Sequence, residues 1–191
     1  MKRMTTAEAV RSALLGYQQV LAAMLRDVTG DTGRLTIIAT AAAASAAHTE
    51  AAAGHLTTAR TGLTTAWTGL GSETFQERTA TLPARCTDAN ALCAALGDGL
   101  HQVVTETGRT QLIITLLART FIARSNGIMG RVNAMNPVPD SELTAAQQLG
   151  TRFVDNAKTH HQRLDGTLRA FAESVNARTA TFTAGTPDPR R

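Results

Sequence analysis

The side chains best suited to metal or proton chemistry near neutral pH are five histidines and two cysteines, set among scattered carboxylates. In "HHQRLD", His161 and Asp165 stand one helical turn apart, so an imidazole and a carboxylate share a face. That spacing suits a proton-transfer or metal pair. It equally suits a half-buried histidine steadied by a neighbouring carboxylate, and this is the expectation here. A second constellation joins His48 and His55 to Cys86 and Cys93, each pair seven residues apart. If the chain folds back near residue 69, His48 comes level with the two cysteines. Two imidazoles and two thiolates can hold zinc tetrahedrally, but zinc ligands usually come in pairs about two to five residues apart. The ordinary reading is two flank histidines and two thiols in an apolar seam. No phosphate loop, dinucleotide fingerprint, nucleophile elbow or zinc-protease motif occurs. The expectation is a protein with no enzymatic activity, no cofactor and no metal.

The elements that would position these residues are helical. Aromatic residues make up 4% of the chain, Ala and Thr abound, and no alternating run suited to strands is present. Apolar residues at three-four spacing predict an all-α fold, an elongated bundle of about five helices. The 191 residues suffice for one sizeable core. A single helical domain over 1–183 is expected, with a flexible tail over 184–191.

Helix boundaries follow from caps and breakers. "TTAE" has the spacing of a capping box, with Thr5 and Glu8 opening a helix to about Asp27. "VTGDTG" breaks it, and a second helix runs from about Arg34 to Ala66. Its stripe reads Leu35, Ile38, Ala42, Ser45, Thr49, Ala52, Leu56, Ala59, Leu63, Trp67. Gly54 and Gly62 weaken this helix and suggest close approach of a partner backbone. A third helix begins near Ser72 with the stripe Phe75, Thr79, Leu82, Cys86, Ala89, Cys93, Leu96, Leu100. Pro83 predicts a kink there, and "GDG" at Gly97–Gly99 a bend or restart before a fourth helix to about Ala134. "NPVPDSE" is the clearest break, followed by a last helix from about Ser141 to Phe182. Seven helical residues rise about 10.5 Å, beyond the roughly 7 Å that a disulfide spans, so Cys86 and Cys93 are expected reduced and buried in the seam.

The only tryptophan, Trp67, sits in "TTAWTGLGSETF" between two helical stretches. Gly69 follows and lets the chain turn tightly, and Phe75 opens the next stripe. Helix, Trp-x-Gly, an aromatic six residues beyond the glycine, and a second helix together resemble the WXG family of type VII secretion substrates. The resemblance covers about residues 35–107. It implies a helical hairpin whose turn carries Trp67, Gly69 and Phe75, read by the secretion machinery as part of its recognition surface. The length, with a helix before the hairpin and long helices after it, looks like the longer PPE branch. Two features depart from the pattern. No Pro-Pro-Glu stands near the start, and the export element Tyr-x-x-x-Asp/Glu is absent, since Tyr17 is followed by "QQVL". Export would then rest on a partner that supplies the tyrosine element.

The resemblance implies a helical partner protein or self-association, and a secretion ATPase as a further partner. The net charge is +4 and the pI about 9.8, but the basic residues, all Arg except Lys2 and Lys158, form no block. Nucleic-acid binding is therefore not expected. No apolar leader follows "MKRM", and the run Leu112–Ile122 is short for a membrane span and contains Arg119. The expected location is the cytoplasm before export, or secretion without a cleaved signal peptide. The alternative to a secretion substrate is a helical oligomer or membrane-active module.

Overall fold

The computed structural model describes residues 5–184, and these are helical almost throughout, with no strand among them. Helix α1 spans Thr6–Val28, α2 Thr32–Ala66, α3 Leu70–Thr79, α4 Leu82–Ala134 and α5 Asp140–Ala184. The protein is all-α. Of the tail expected over 184–191, Ala184 still belongs to α5 and the rest lies outside the described residues.

Local chemistry sets the ends. Thr5 caps α1: its hydroxyl accepts from the Glu8 N–H at 3.3 Å, and the Glu8 carboxylate accepts from the Thr5 N–H at 2.8 Å. Hydrogen bonds from the Thr5 N–H and, at 3.1 Å, the Thr5 hydroxyl hold the Glu8 carboxyl below its ordinary range. Thr is a middling helix former, yet α2 is full of it. Thr36, Thr40, Thr57, Thr58, Thr61 and Thr64 each donate their hydroxyl to the carbonyl one turn back.

The stretch after Trp67 differs from expectation. A short α3 precedes a two-residue interruption at Ala80 and Thr81, and α4 then starts afresh. Pro83 thus falls in a first helical turn, where its missing N–H has no intrahelical partner to lose, and it kinks nothing. Helix α4 passes through Gly97–Gly99 without restarting.

The chain divides into two compact units. Unit 1 comprises Met1–Asp31 and Thr105–Thr167, and unit 2 comprises Thr32–Val104 and Leu168–Arg191. Helices α4 and α5 each contribute to both.

Unit 1 has a core of large side chains. Leu14, Leu21 and Val28 of α1, Ile114, Phe121 and Ile128 of α4, and Phe153 of α5 are all buried, mostly at seven-residue steps. Phe121 packs between Phe153, tilted by 57° at 5.8 Å, and Tyr17, edge-on at 6.5 Å. The Tyr17 ring lies on Gly150, where any side chain would collide, and its hydroxyl meets Thr151 Oγ1 at 3.2 Å. Arg131 grips Glu142 through two parallel bonds of 3.0 and 2.9 Å, tying α4 to α5 beside their connection.

Unit 2 is packed with small residues. The buried residues of α2 are Ala39, Ala42 and Ala46. Six of the ten residues of the expected α2 stripe are covered: Leu35, Ala42, Thr49, Ala52, Leu56 and Leu63. Elsewhere the row is shifted by one residue: Ala39, Ala46 and Arg60 are covered in place of Ile38, Ser45 and Ala59, Ala53 is covered beside Ala52, and Ile38 is 49% exposed. The cause is a close approach. A Cβ on Gly97 would lie 3.2 Å from the Ala39 carbonyl oxygen and 3.3 Å from the Ala43 nitrogen, so the two backbones leave no room for Ile. Gly99 likewise lies under the Phe171 ring. Gly54 and Gly62, expected to serve close packing, face open space. The α3–α4 stripe from Phe75 to Leu96 is half-buried along its length and ends on buried Leu100. Cys86 and Cys93 are free and half-buried, not fully buried as expected, because the small neighbours of this row do not close over it.

Candidate functional site

The link between α2 and α3 is Trp67, Thr68 and Gly69. Helical bonding persists to Trp67, whose N–H donates to the Leu63 carbonyl at 2.9 Å. Gly69 then takes φ 101°, a conformation that side chains other than glycine's resist, and its carbonyl accepts from the Glu73 N–H at 3.1 Å as α3 begins. That reversal of φ turns the chain so that the indole returns over the first turn of α3. The Trp67 ring lies 6.1 Å from that of half-buried Phe75, tilted by 50°. Such a pair contributes about 0.5–1.5 kcal/mol beyond the area it covers. Gly71 gives the indole its seat, for a Cβ there would stand 3.0 Å from Trp67 Cζ2.

The indole is covered on one side only. Trp67 remains 45% exposed and the adjacent Leu70 82% exposed. The three residues singled out from the sequence, Trp67, Gly69 and Phe75, are therefore one local arrangement, with Gly69 setting the turn and Phe75 the backing.

A polar clamp that the sequence reading missed lies one to two turns below. Arg60 Nε and Nη2 donate to the Gln76 side-chain and main-chain oxygens at 3.3 and 3.1 Å, and Nη1 to the Ala80 carbonyl at 3.3 Å. Gln76 Nε2 returns bonds of 3.1 Å to the Arg60 carbonyl and to Thr64 Oγ1. The guanidinium thus satisfies carbonyls at the C-terminal end of α3, where positive charge is favoured. The clue in the sequence is an arginine in the covered row Ala39, Ala46, Ala53, Arg60, legible only once that row is placed correctly.

What this arrangement offers is contact: a flat indole face, a leucine and one indole N–H donor, held on a fixed turn. The other candidates remain apart. His161 Nδ1 and Asp165 Oδ2 are 3.4 Å apart, with the imidazole half-buried. His48 and His55 are exposed. Among the described residues no three His, Cys, Asp or Glu side chains gather closely enough to hold a metal, so the His48, His55, Cys86 and Cys93 set is not brought together. Cys86 instead lines an apolar cavity of about 300 Å³ with Thr49, Leu82, Arg85, Ala89 and Phe182.

The run Leu112–Ile122, short on its own, lies inside the 53-residue α4. The stretch Leu70–Ala134 contains a window of mean hydropathy 1.3, of which 22% is buried, and by length and composition it is apolar enough to cross a membrane.

No protein family, curated protein or solved structure gives a match to this chain.

Proposed function

We propose that this protein is a non-enzymatic helical substrate or partner of a type VII (WXG-type) secretion system, and that α2 and α3 form a helical hairpin whose Trp-x-Gly turn is its recognition tip. The observation that carries the proposal is the pose of Trp67. A lone tryptophan stands in the interhelical link, half exposed, on a glycine at φ 101° and against Phe75. A residue recruited only to fill the end of a bundle would be covered on all sides. In this reading Trp67 and Leu70 touch the secretion ATPase, Gly69 and Gly71 shape the turn, and the Arg60–Gln76 clamp keeps α3 against α2. A helical partner, or a second copy of the chain, covers the apolar residues left exposed and supplies the missing tyrosine element. The cytoplasm before export and the medium after it are the corresponding locations.

The test is binding of the purified chain to the cytoplasmic ATPase of such a system from its native host, and export from that host. Binding and export that depend on Trp67 support the proposal. A chain that neither binds the ATPase nor leaves the cell contradicts it.

The second reading, a membrane-active or self-assembling helical module, draws on the exposed apolar window of α4. Vesicle binding and solution mass separate it from the first.

A further inference from the structure

Unit 1 carries a concave feature distinct from the Trp67 turn. Leu117 and Arg124 of α4, with Arg152, Phe153 and Asn156 of α5, line a cavity of about 120 Å³. From these residues we infer that unit 1 binds a phosphate group, held by Arg124, Arg152 and Asn156.

The charge balance points there. Every carboxylate in the unit 1 portions of α4 and α5 is engaged elsewhere. Glu106 meets Arg163 at 2.8 Å, Glu142 holds Arg131, Asp155 meets Lys158 at 3.7 Å, Asp165 faces His161, and Asp140 accepts from Thr6 Oγ1 at 3.3 Å. Among the described residues Arg109, Arg119, Arg124 and Arg152, all exposed, are left without an ion pair, and of these Arg124 and Arg152 alone line one recess. Arg152 has no ion pair or hydrogen bond among the described residues. Arg124 has only the face of Phe153, with its guanidinium carbon 5.8 Å from the ring centre. That stacking orients the guanidinium without using its outward N–H groups. Two planar forks and a carboxamide, brought together from two helices, offer more donors than the two oxygens of a carboxylate take up. A tetrahedral oxyanion uses them better, and a cavity of this size takes one phosphate group.

The phosphate comes either from a soluble phosphate compound or from a phospholipid headgroup. The exposed apolar surface of α4 bears on the second source. Leu112 and Leu116, one turn apart on α4, are 61% and 53% exposed, an apolar pair on the helix that also carries Leu117 and Arg124 but turned away from the face that lines the recess.

The experiment uses the full chain and two probes. Inorganic phosphate is titrated against chloride at equal ionic strength, and flotation is measured with phosphatidylcholine vesicles with and without phosphatidylglycerol. Arg152→Gln should weaken phosphate binding about tenfold, the loss expected for a charge-assisted contact. The Arg124→Gln/Arg152→Gln pair should abolish it. Arg119→Gln, an exposed α4 arginine outside the cavity, should leave it close to unchanged. The melting temperature of Arg152→Gln should match that of the parent, since Arg152 has no internal partner to lose. Phosphate binding together with flotation on phosphatidylglycerol vesicles, both lost in Arg152→Gln, identifies a headgroup. Phosphate binding without flotation identifies a soluble phosphate compound. Absence of binding to either probe, or an equal loss in Arg119→Gln, overturns the inference.

Discussion

Units 1 and 2 draw on the same two long helices but cover them differently. Along α4, Ile114, Phe121, Ile128 and Val132 are buried where α1 and α5 bring Leu14, Leu21, Phe153 and Leu164 against them. Nearer its start, Leu82, Cys86, Ala89, Cys93 and Leu96 are all half-buried, facing a helix whose covered row is mostly alanine. Apolar burial stabilises in proportion to the area removed from water. Unit 1 therefore carries more stabilising burial per residue. Unit 2 relies on close backbone approach at Gly97 and on the Arg60 clamp, and it leaves Trp67 and Leu70 in solvent. Both units leave large apolar side chains exposed, so the difference between them lies in the core: large side chains in unit 1, small ones in unit 2.

The largest effect that would sharpen this contrast lies in unit 1. Phe121→Ala removes a fully buried ring from between Phe153 and Tyr17, and should cost about 3–5 kcal/mol in chemical denaturation. A loss below about 1 kcal/mol would break the assignment of the main core to this unit. Unit 2 should respond to added volume instead. Gly97→Leu drives a side chain into the backbone of α2 and should cost about 1–3 kcal/mol. Gly54→Ala, in open space on the same helix, should gain about 0.5–1 kcal/mol. Equal effects at the two glycines would show that α2 and α4 do not meet at Ala39.

Acid should act on unit 1 through its clamp. Hydrogen bonds from Arg131 hold the Glu142 carboxyl below its ordinary value of 4.5, outweighing the partial burial that opposes them. A carboxylate with a depressed folded pKa contributes stability that is present above 4.5 and is lost as the pH falls through the folded value. Thermal melts should therefore weaken from neutral pH to below that range, and Glu142→Gln should flatten part of the slope. An unchanged slope in that variant would remove the clamp from the account.

The helical class was legible because three-four apolar spacing and the Thr5–Glu8 capping box are local signals. Trp67 was legible as an interhelical residue for the same reason: helix formers flank it and glycines follow. The covered row of α2 was not. At 45/46 the choice is Ser/Ala, which gives little contrast, and at 38/39 it is Ile/Ala, where hydrophobicity favours Ile but the close approach of Gly97, distant in sequence, admits only Ala39. The same one-residue slip hid Arg60 and with it the clamp to Gln76. The recess at Arg124 and Arg152 depends on which turns of α4 and α5 face each other, and no spacing within either helix announces it.

The most direct test of the central claim, that Trp67 serves recognition more than stability, is one variant measured two ways. Half of the indole surface is already in water, and its partners are Phe75 and Gly71 alone among the contacts described above. Trp67→Ala should therefore lower the melting temperature only slightly, while ATPase binding or export per folded molecule is lost. Exposed aromatic anchors carry about 2 kcal/mol or more of binding in such interfaces. A fall in stability of about 3–5 kcal/mol, the cost of removing a buried Trp, with export per folded molecule intact, would contradict the account.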